Sequence, residues 1–345
     1  MRIARLQASA DQRAAWATLG ALAALFVTLL PVAAQDTVTL GSSGGGQTKV
    51  SGRIVDCTGR HLRIQVPGGR EQTFPADKVI RVKTPYGPAH TEADARFADG
   101  EFGPALNLYR QAVDEEPRRW VRRRIIARAI WCYRALDDWV RSGETFLLLL
   151  RDDPETLDFD CIPLEWMPRQ PPAALEQAAR QWLNRAEPTA VLLGASHLLT
   201  TGERLDALQR LKTLSAGPDR RVAQLALAQT WRAEAVTASS AELDNWQRVI
   251  EQMPQALAAG PYFVLGRARL QRQQWEQAAL ALMRVPILYP QQRDLATQAL
   301  LDAGRALEKL GRVPEALRLY RELIAGYPGT RPMAEAQGRM EAIGN

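Results

Sequence analysis

The sequence is poor in cysteine, histidine and lysine. Its 345 residues include three cysteines, three histidines and only five lysines. No two cysteines have the spacing of zinc ligands, and the histidines, His61, His90 and His197, are far apart along the chain. We therefore expect no metal centre and no bound cofactor.

The chain also lacks the short motifs that mark common enzyme active sites. It contains no nucleophile elbow, no glycine-rich phosphate loop before a helix and no set of serine, histidine and aspartate that predicts a catalytic triad. Its carboxylate pairs stand at predicted helix ends, where capping explains them. We expect a protein that is not an enzyme and has no small-molecule substrate.

The basic residues are mostly arginine, and the formal net charge is +6. A GC-rich genome produces this bias without selection, whereas the alternative is selection for a polyanionic partner. We favour the first reading and do not expect nucleic acid as the partner. The apolar share of 46% and the charged share of 24% are typical of a globular protein.

Residues 1–34 have the pattern of a secretory signal peptide. Arginines precede an uncharged run of 21 residues, Ala14 to Ala34, which ends in small residues. We expect cleavage before Gln35 and export. The alternative is an uncleaved anchor, since such a run could just span a bilayer core of about 30 Å. Only in that case would we expect membrane contact.

Export to an oxidising compartment makes a disulfide bond a real alternative for two of the cysteines. Cys132 and Cys161 form the better pair, because Cys161 lies in a proline-rich loop that could fold back on the helix of Cys132. Buried free thiols are the default expectation.

A small β domain is predicted after the leader. Residues 35–48 are rich in glycine and serine and predict a flexible linker. Residues 49–86 contain β-branched runs between turn signals, at Gly52–Cys57, His61–Val66, Gln72–Phe74 and Val79–Val82. These runs predict a β meander that closes as an SH3-like barrel. Its arginines predict a solvated face or, alternatively, a binding face.

From residue 89 onward, amphipathic helical patterns continue to residue 343, and two distant stretches match. "HTEADARFADGEFGPALNLYRQAVDEEP" and "LDAGRALEKLGRVPEALRLYRELIAGYP" align at their terminal prolines. The same residue classes recur at four offsets, as Ala93 with Gly304, Gly100 with Gly311, Ala105 with Ala316, and Tyr109 with Tyr320. A small residue permits close helix approach, a glycine caps the first helix, and an aromatic side chain fills the space between hairpins.

This pattern resembles the tetratricopeptide repeat, a helical hairpin of about 34 residues. Looser copies contain Trp139, Phe146 and Pro154, and then Tyr262, Gly266, Trp275, Ala278 and Pro290. The resemblance implies a mainly α fold, a right-handed solenoid of helical hairpins over residues 89–343. The Tyr-Pro endings are similar to repeats of bacterial envelope proteins, which implies the periplasm or cell envelope of a bacterium.

One stretch interrupts the helical pattern. Residues 152–172 contain five prolines, which exclude a regular helix. We call this stretch the insertion and expect Trp166 and Ile162 to pack against the solenoid.

The resemblance also implies a partner site on the concave face, which the first helices of the hairpins line. The groove-facing positions are Arg124, Trp131, Arg134, Arg267 and Arg305. Arginine beside an aromatic side chain suits acidic or extended protein segments. The alternative is that Trp131 belongs to the core and that the arginines are solvated or paired internally.

The densest charge feature is a run of seven arginines without an acid between Pro117 and Arg134. Arg122, Arg123 and Arg124 lie at its centre. They either pair with acids of 114–116 and 151–153 or bind an anionic partner.

We therefore predict an exported scaffold for protein–protein interactions in the bacterial envelope, with the partner on the concave face. The alternative is a binder of anionic polymers, glycan or nucleic acid, that uses the arginine-rich helix and the β domain.

Overall fold

The computed structural model describes residues 35–41 and 45–344, so the predicted signal peptide lies outside the described residues. These residues form five strands and fourteen α-helices. They divide into a β unit, which runs to Cys57 and from His61 to Tyr86, and an α unit, which comprises Thr58–Arg60 and the residues from Gly87 onward. Among them, no helix combines the length and the apolar composition needed to cross a bilayer.

The β unit is one antiparallel sheet of five strands in the order β4-β3-β2-β1-β5. The strands are β1 Asp36–Gly41, β2 Gln47–Cys57, β3 His61–Gln65, β4 Glu71–Pro75 and β5 Val79–Lys83. The long β2 pairs with β1 along its first half and with β3 along its second, and a 3-10 turn, Ala76–Lys78, precedes β5. This order is that of an SH3-like barrel, as predicted.

Strand β1 corrects the prediction of a flexible linker over 35–48. The Gly/Ser-rich composition of this range hides a short apolar alternation in which Val38 and Leu40 are buried. Asp36 fixes the start of the strand, because its Oδ2 accepts the Ile54 N–H at 2.7 Å and its Oδ1 accepts the hydroxyl of Thr84. Residues 36–41 are therefore part of the folded β unit.

The α unit consists of helices that follow one another with short connections, except for the insertion between α4 and α5. Their bounds are α1 Pro88–Ala98, α2 Phe102–Glu115, α3 Arg119–Ala135, α4 Trp139–Asp152, α5 Ala173–Leu183, α6 Pro188–Leu198, α7 Arg204–Ser215, α8 Arg220–Glu234, α9 Ser240–Glu251, α10 Ala259–Gln271, α11 Trp275–Leu288, α12 Arg293–Lys309, α13 Val313–Gly326 and α14 Arg331–Gly344.

The predicted glycine caps occur where the repeats require them. Gly100 ends α1 at φ +78° and Gly311 ends α12 at φ +74°, a left-handed conformation that glycine adopts without strain. The same turn ends α3 and α10 with Asp137 (φ +61°) and Gln273 (φ +59°) in the glycine position. The turn recurs even where the sequence lacks the glycine, which explains why those copies look looser.

The small residues of the first helices lie directly against the second helices. A Cβ added at Gly304 would lie 2.3 Å from Cε1 of Tyr320, and one at Gly266 would lie 2.5 Å from Cγ of Leu282. Tyr109 and Tyr320 are fully buried. The predicted interlock of small and large residues is confirmed in the last two hairpins, α10–α11 and α12–α13.

The first helices of successive hairpins also contact one another. Helix α6 contacts α8, α8 contacts α10, α10 contacts α12, and α12 contacts α14. We call these five helices the inner row; two of them, α10 and α12, carry the predicted groove residues Arg267 and Arg305.

The two candidate disulfide cysteines are free and buried. Burial raises the pKa of the Cys132 thiol to about 12 and that of Cys161 well above its usual range. Both side chains therefore act as small apolar groups of the core.

Candidate partner-binding site

The insertion enters the inner row at helix α6. His197 Nε2 lies 3.0 Å from the carbonyl oxygen of Pro163, and because that oxygen only accepts, the imidazole donates. Burial lowers the pKa of His197 to about 3, so this histidine is neutral at pH 7. The carbonyl of the insertion thus replaces water as the hydrogen-bond partner of a buried side chain.

Side chains of helix α8 donate hydrogen bonds to backbone carbonyl oxygens of the next part of the insertion. Gln229 Nε2 donates to the Glu165 carbonyl oxygen at 3.0 Å, and Arg232 Nη2 donates to that of Met167 at 3.1 Å. Recognition through main-chain oxygens is the way in which grooves bind extended peptides.

Trp166 then packs on helix α10. A Cβ at Gly260 would lie 2.0 Å from Cε2 of the indole, so only glycine leaves room for it. Trp166 and Ile162 are each 6% exposed, which confirms the prediction that they pack against the solenoid. The insertion therefore covers α6, α8 and the start of α10 in the inner row.

The arginines of α3 are spread over different environments. Arg123 is buried, with Nη1 at 3.2 Å from Asp152 Oδ2, and Arg119 Nε donates to Oδ1 of the same carboxylate at 2.8 Å. The hydrogen bond from Arg119 lowers the pKa of Asp152. Arg124 lies over the Trp120 ring, and Arg122 is exposed. Neighbouring acids thus pair with part of this run, as one of the two readings expects.

Trp131 and Arg134 lie in the core of the α unit. Trp131 is buried, and the Arg134 guanidinium lies 4.5 Å from its ring and 5.5 Å from that of Trp139. Arg134 Nη2 is 3.4 Å from Asp294 Oδ1 of α12, and its side chain is only 4% exposed. These two residues join α3 to α12 and offer little surface to a partner.

Arg267 and Arg305, in contrast, line one open cleft. We call this cleft of about 380 Å³ the basic cleft; its walls come from α10, α12, α14 and the start of α11, and its lining residues are Arg267, Leu270, Gln271, Trp275, Asp302, Arg305, Lys309 and Arg339. Four of the eight carry a positive charge and one is acidic. The sequence identified two of these cations and missed the other two.

The buried carboxylate of Asp302 forms ion pairs with both predicted arginines, Arg267 and Arg305. Its side chain is only 5% exposed, with Oδ1 accepting from Arg305 Nη1 at 3.0 Å and Oδ2 lying 3.8 Å from Arg267 Nε. A second Arg305 nitrogen contacts Glu335 of α14. Because these contacts hold the guanidinium groups in place, a ligand would order them at little further cost in conformational entropy.

The other two cations differ in their surroundings. Arg339 donates to both carboxylate oxygens of Glu308, at 2.8 and 2.6 Å, and this hydrogen bonding lowers the pKa of Glu308. Lys309 is exposed. Lys309 lies one helical turn after Arg305, a spacing that could have identified it. Arg339 lies on α14, after the last aligned copy, where the repeat landmarks give no signal.

The described residues contain no group of three or more His, Cys, Asp and Glu side chains placed to bind a metal ion.

Comparisons with known proteins agree with the repeat architecture. Residues 298–330, which cover most of α12 and all of α13, match the family model of the tetratricopeptide repeat. Among solved structures, the assembly chaperone of RpL4, Acl4 (residues 1–338), matches over 74% of this chain and 96% of its own, at 15% identity and a TM-score of 0.27. No curated protein matches the sequence significantly. At that TM-score the chaperone carries no weight, and the repeat assignment depends on the family model and on the landmarks described above.

Proposed function

We propose that this tetratricopeptide repeat protein is a non-catalytic scaffold that binds an acidic, extended segment of another protein in the basic cleft. The observation that carries the proposal is the convergence of Arg267, Arg305, Lys309 and Arg339 from three inner helices on one open cleft. Tetratricopeptide repeats are typical of protein–protein interaction scaffolds, and this convergence indicates which part of the scaffold is available.

The chemistry of the cleft favours carboxylates. Guanidinium groups present forked donors that match carboxylate oxygens, and these hydrogen bonds are stronger than those between neutral groups. Lys309 adds a mobile charge at the rim. A flexible acidic segment can place its carboxylates against these cations one after another.

The insertion limits where such a segment can bind. Because Trp166 and the carbonyls of Pro163 and Met167 already occupy α6, α8 and α10, the partner is confined to the part of the inner row beyond Trp166. This supports a short site of three helices.

We also propose export to the periplasm or envelope of a bacterium, on the strength of the leader pattern and the Tyr-Pro endings. Amino-terminal sequencing of the protein from fractionated cells tests this. A mature chain that starts at Gln35 in the exported fraction is expected, and an intact leader on a cytoplasmic protein would contradict it.

Affinity capture from the envelope fraction tests the scaffold. The purified protein is compared with a double variant of the cleft, Arg305→Glu with Lys309→Glu, and with a control of equal charge change on exposed positions of α13, Arg318→Glu with Arg321→Glu. A discrete protein that the wild type and the control retain and the cleft variant loses supports the proposal.

Two results would contradict it. Equal capture by all three proteins would show that the basic cleft does not bind the partner. Capture of polysaccharide or nucleic acid alone, reversed by moderate salt, would favour the anionic-polymer alternative. A parallel Arg122→Glu variant shows whether the exposed arginine of α3 takes part.

A further inference from the structure

A second cavity adjoins the basic cleft. We call it the apolar pocket. It has a volume of about 280 Å³ and is lined by Trp166, Pro168, Leu199, Thr200, Arg204, Arg232, Ala233, Ala235, Val236, Val264, Arg267 and Gln271. Most of its walls are apolar, and the insertion supplies one of them. Its size is at the lower end for ligand pockets, about 300–1,000 Å³, so it suits one large side chain rather than a helix.

The polar part of the pocket is positive. Arg204, Arg232 and Arg267 contribute to it, and the described residues that line it include no acid. Among the described residues, Arg232 donates hydrogen bonds to the uncharged oxygens of Ser196, Met167 and the Gln229 side chain, at 2.6–3.1 Å. The Glu165 carboxylate acts on this cation through its charge, and no hydrogen bond between the two is present there.

The pocket and the basic cleft share two lining residues. Arg267 and Gln271 line both, and they lie one turn apart on α10, a rise of about 6 Å. Val236, which lines the pocket, is 72% exposed. An exposed apolar edge next to a cationic cleft is the arrangement expected of a binding site rather than of ordinary surface.

We infer that the apolar pocket receives an aliphatic or aromatic side chain of the same acidic segment that the basic cleft binds. This inference rests on the proposed function. Because Arg267 and Gln271 line both cavities, nearby residues of one extended segment, at about 3.3 Å each, can reach both. The partner segment thus carries an apolar anchor residue and, within a few positions of it, a cluster of acidic residues.

Three fluorescein-labelled synthetic peptides test the inference by fluorescence anisotropy with the purified protein. The first contains one leucine and a run of glutamates three positions away; the second replaces the leucine by serine; the third keeps the leucine and replaces the glutamates by serine. We expect the first to bind at least about tenfold more tightly than either of the others, since one buried leucine contributes about that much.

Variants assign the anchor to the pocket. Ala233→Trp fills the cavity without changing the charge of the protein. The matched control is Ala325→Trp, at an exposed position of α13. Ala233→Trp should reduce the affinity of the leucine peptide to that of the serine peptide, and Ala325→Trp should leave it unchanged. Circular dichroism checks the fold of both, and the peptide pair on wild-type protein tests the anchor even if Ala233→Trp fails to fold.

The outcomes separate this inference from the proposed function. If both acidic peptides bind equally and lose affinity with Arg305→Glu, the apolar anchor is refuted and the basic cleft stands. If the leucine peptide binds more tightly but Ala233→Trp, correctly folded, binds it unchanged, the pocket is the wrong location. If neither acidic peptide binds, the proposed function itself fails.

Discussion

Gly260 allows a direct test of whether the insertion is a fixed part of the inner row. A methyl group at this position would lie 2.0 Å from the Trp166 indole, far inside contact distance. The indole is 6% exposed, and the open space beside it is the apolar pocket that it lines. Gly260→Ala must therefore displace Trp166 and, with it, the middle of the insertion.

The size of the effect on the unfolding free energy can be worked out from the two substitutions, Gly260→Ala and Trp166→Ala. Overpacking a filled core costs about 1–3 kcal/mol of unfolding free energy, and Trp166→Ala alone should cost about 3–5 kcal/mol. With Trp166 removed, the three atoms nearest to the methyl group are gone, and alanine is favoured over glycine in a helix by up to about 1 kcal/mol. Gly260→Ala should then be neutral or stabilising, which amounts to a coupling energy of roughly 1–4 kcal/mol.

Urea denaturation of four proteins, followed by circular dichroism, measures this coupling. The set comprises the wild type, Gly260→Ala, Trp166→Ala and the double variant. If Gly260→Ala destabilises equally with and without Trp166, the indole does not pack on Gly260, and the insertion does not occupy the inner row as described.

Three further predictions concern the core. Gly304→Ala should lower the unfolding free energy by about 1–3 kcal/mol, because its Cβ would strike Tyr320; Gly338→Ala, which meets nothing within 4 Å, should be neutral or stabilising, and equal denaturation curves would contradict the difference. His197 has a folded pKa of about 3 against 6.5 unfolded, so only the unfolded chain takes up its proton between these values. The unfolding free energy of the wild type minus that of His197→Gln should therefore decrease by about 1.4 kcal/mol per pH unit as pH falls from 6 to 4. A difference that stays constant in urea titrations would refute this prediction. Cys161 should stay unreactive toward a thiol reagent until urea unfolds the protein, since it is buried; rapid native-state labelling would show otherwise.

The repeat landmarks could be read from the sequence because each depends on a local requirement. A glycine such as Gly311 is needed where φ is positive, and a small residue such as Gly304 is needed beneath an aromatic ring. These requirements recur at fixed offsets. Strand β1 was missed for the opposite reason: its apolar alternation is only a few residues long, and the neighbouring glycines and serines dominate the composition.

The sequence could not show which of the predicted site residues lie in the core and which lie at the cleft. The resemblance to the repeat family places Trp131, Arg134, Arg267 and Arg305 at groove-facing positions of their helices. Arg134 becomes a core residue because α12 supplies Asp294, 160 positions away, whereas Arg305 remains at the cleft. Such long-range contacts depend on how the hairpins stack, and helical periodicity carries no information about them.

The insertion affects the partner site in two opposite ways. By filling the row over α6, α8 and the start of α10, it removes surface that a tetratricopeptide groove would otherwise offer. Through Trp166 and Pro168 it also builds one wall of the apolar pocket beside the basic cleft. In the proposed site, the inner helices supply the cations and a segment that belongs to no repeat supplies one wall of the pocket. A repeat match alone therefore indicates neither the proposed charge preference nor the proposed apolar anchor.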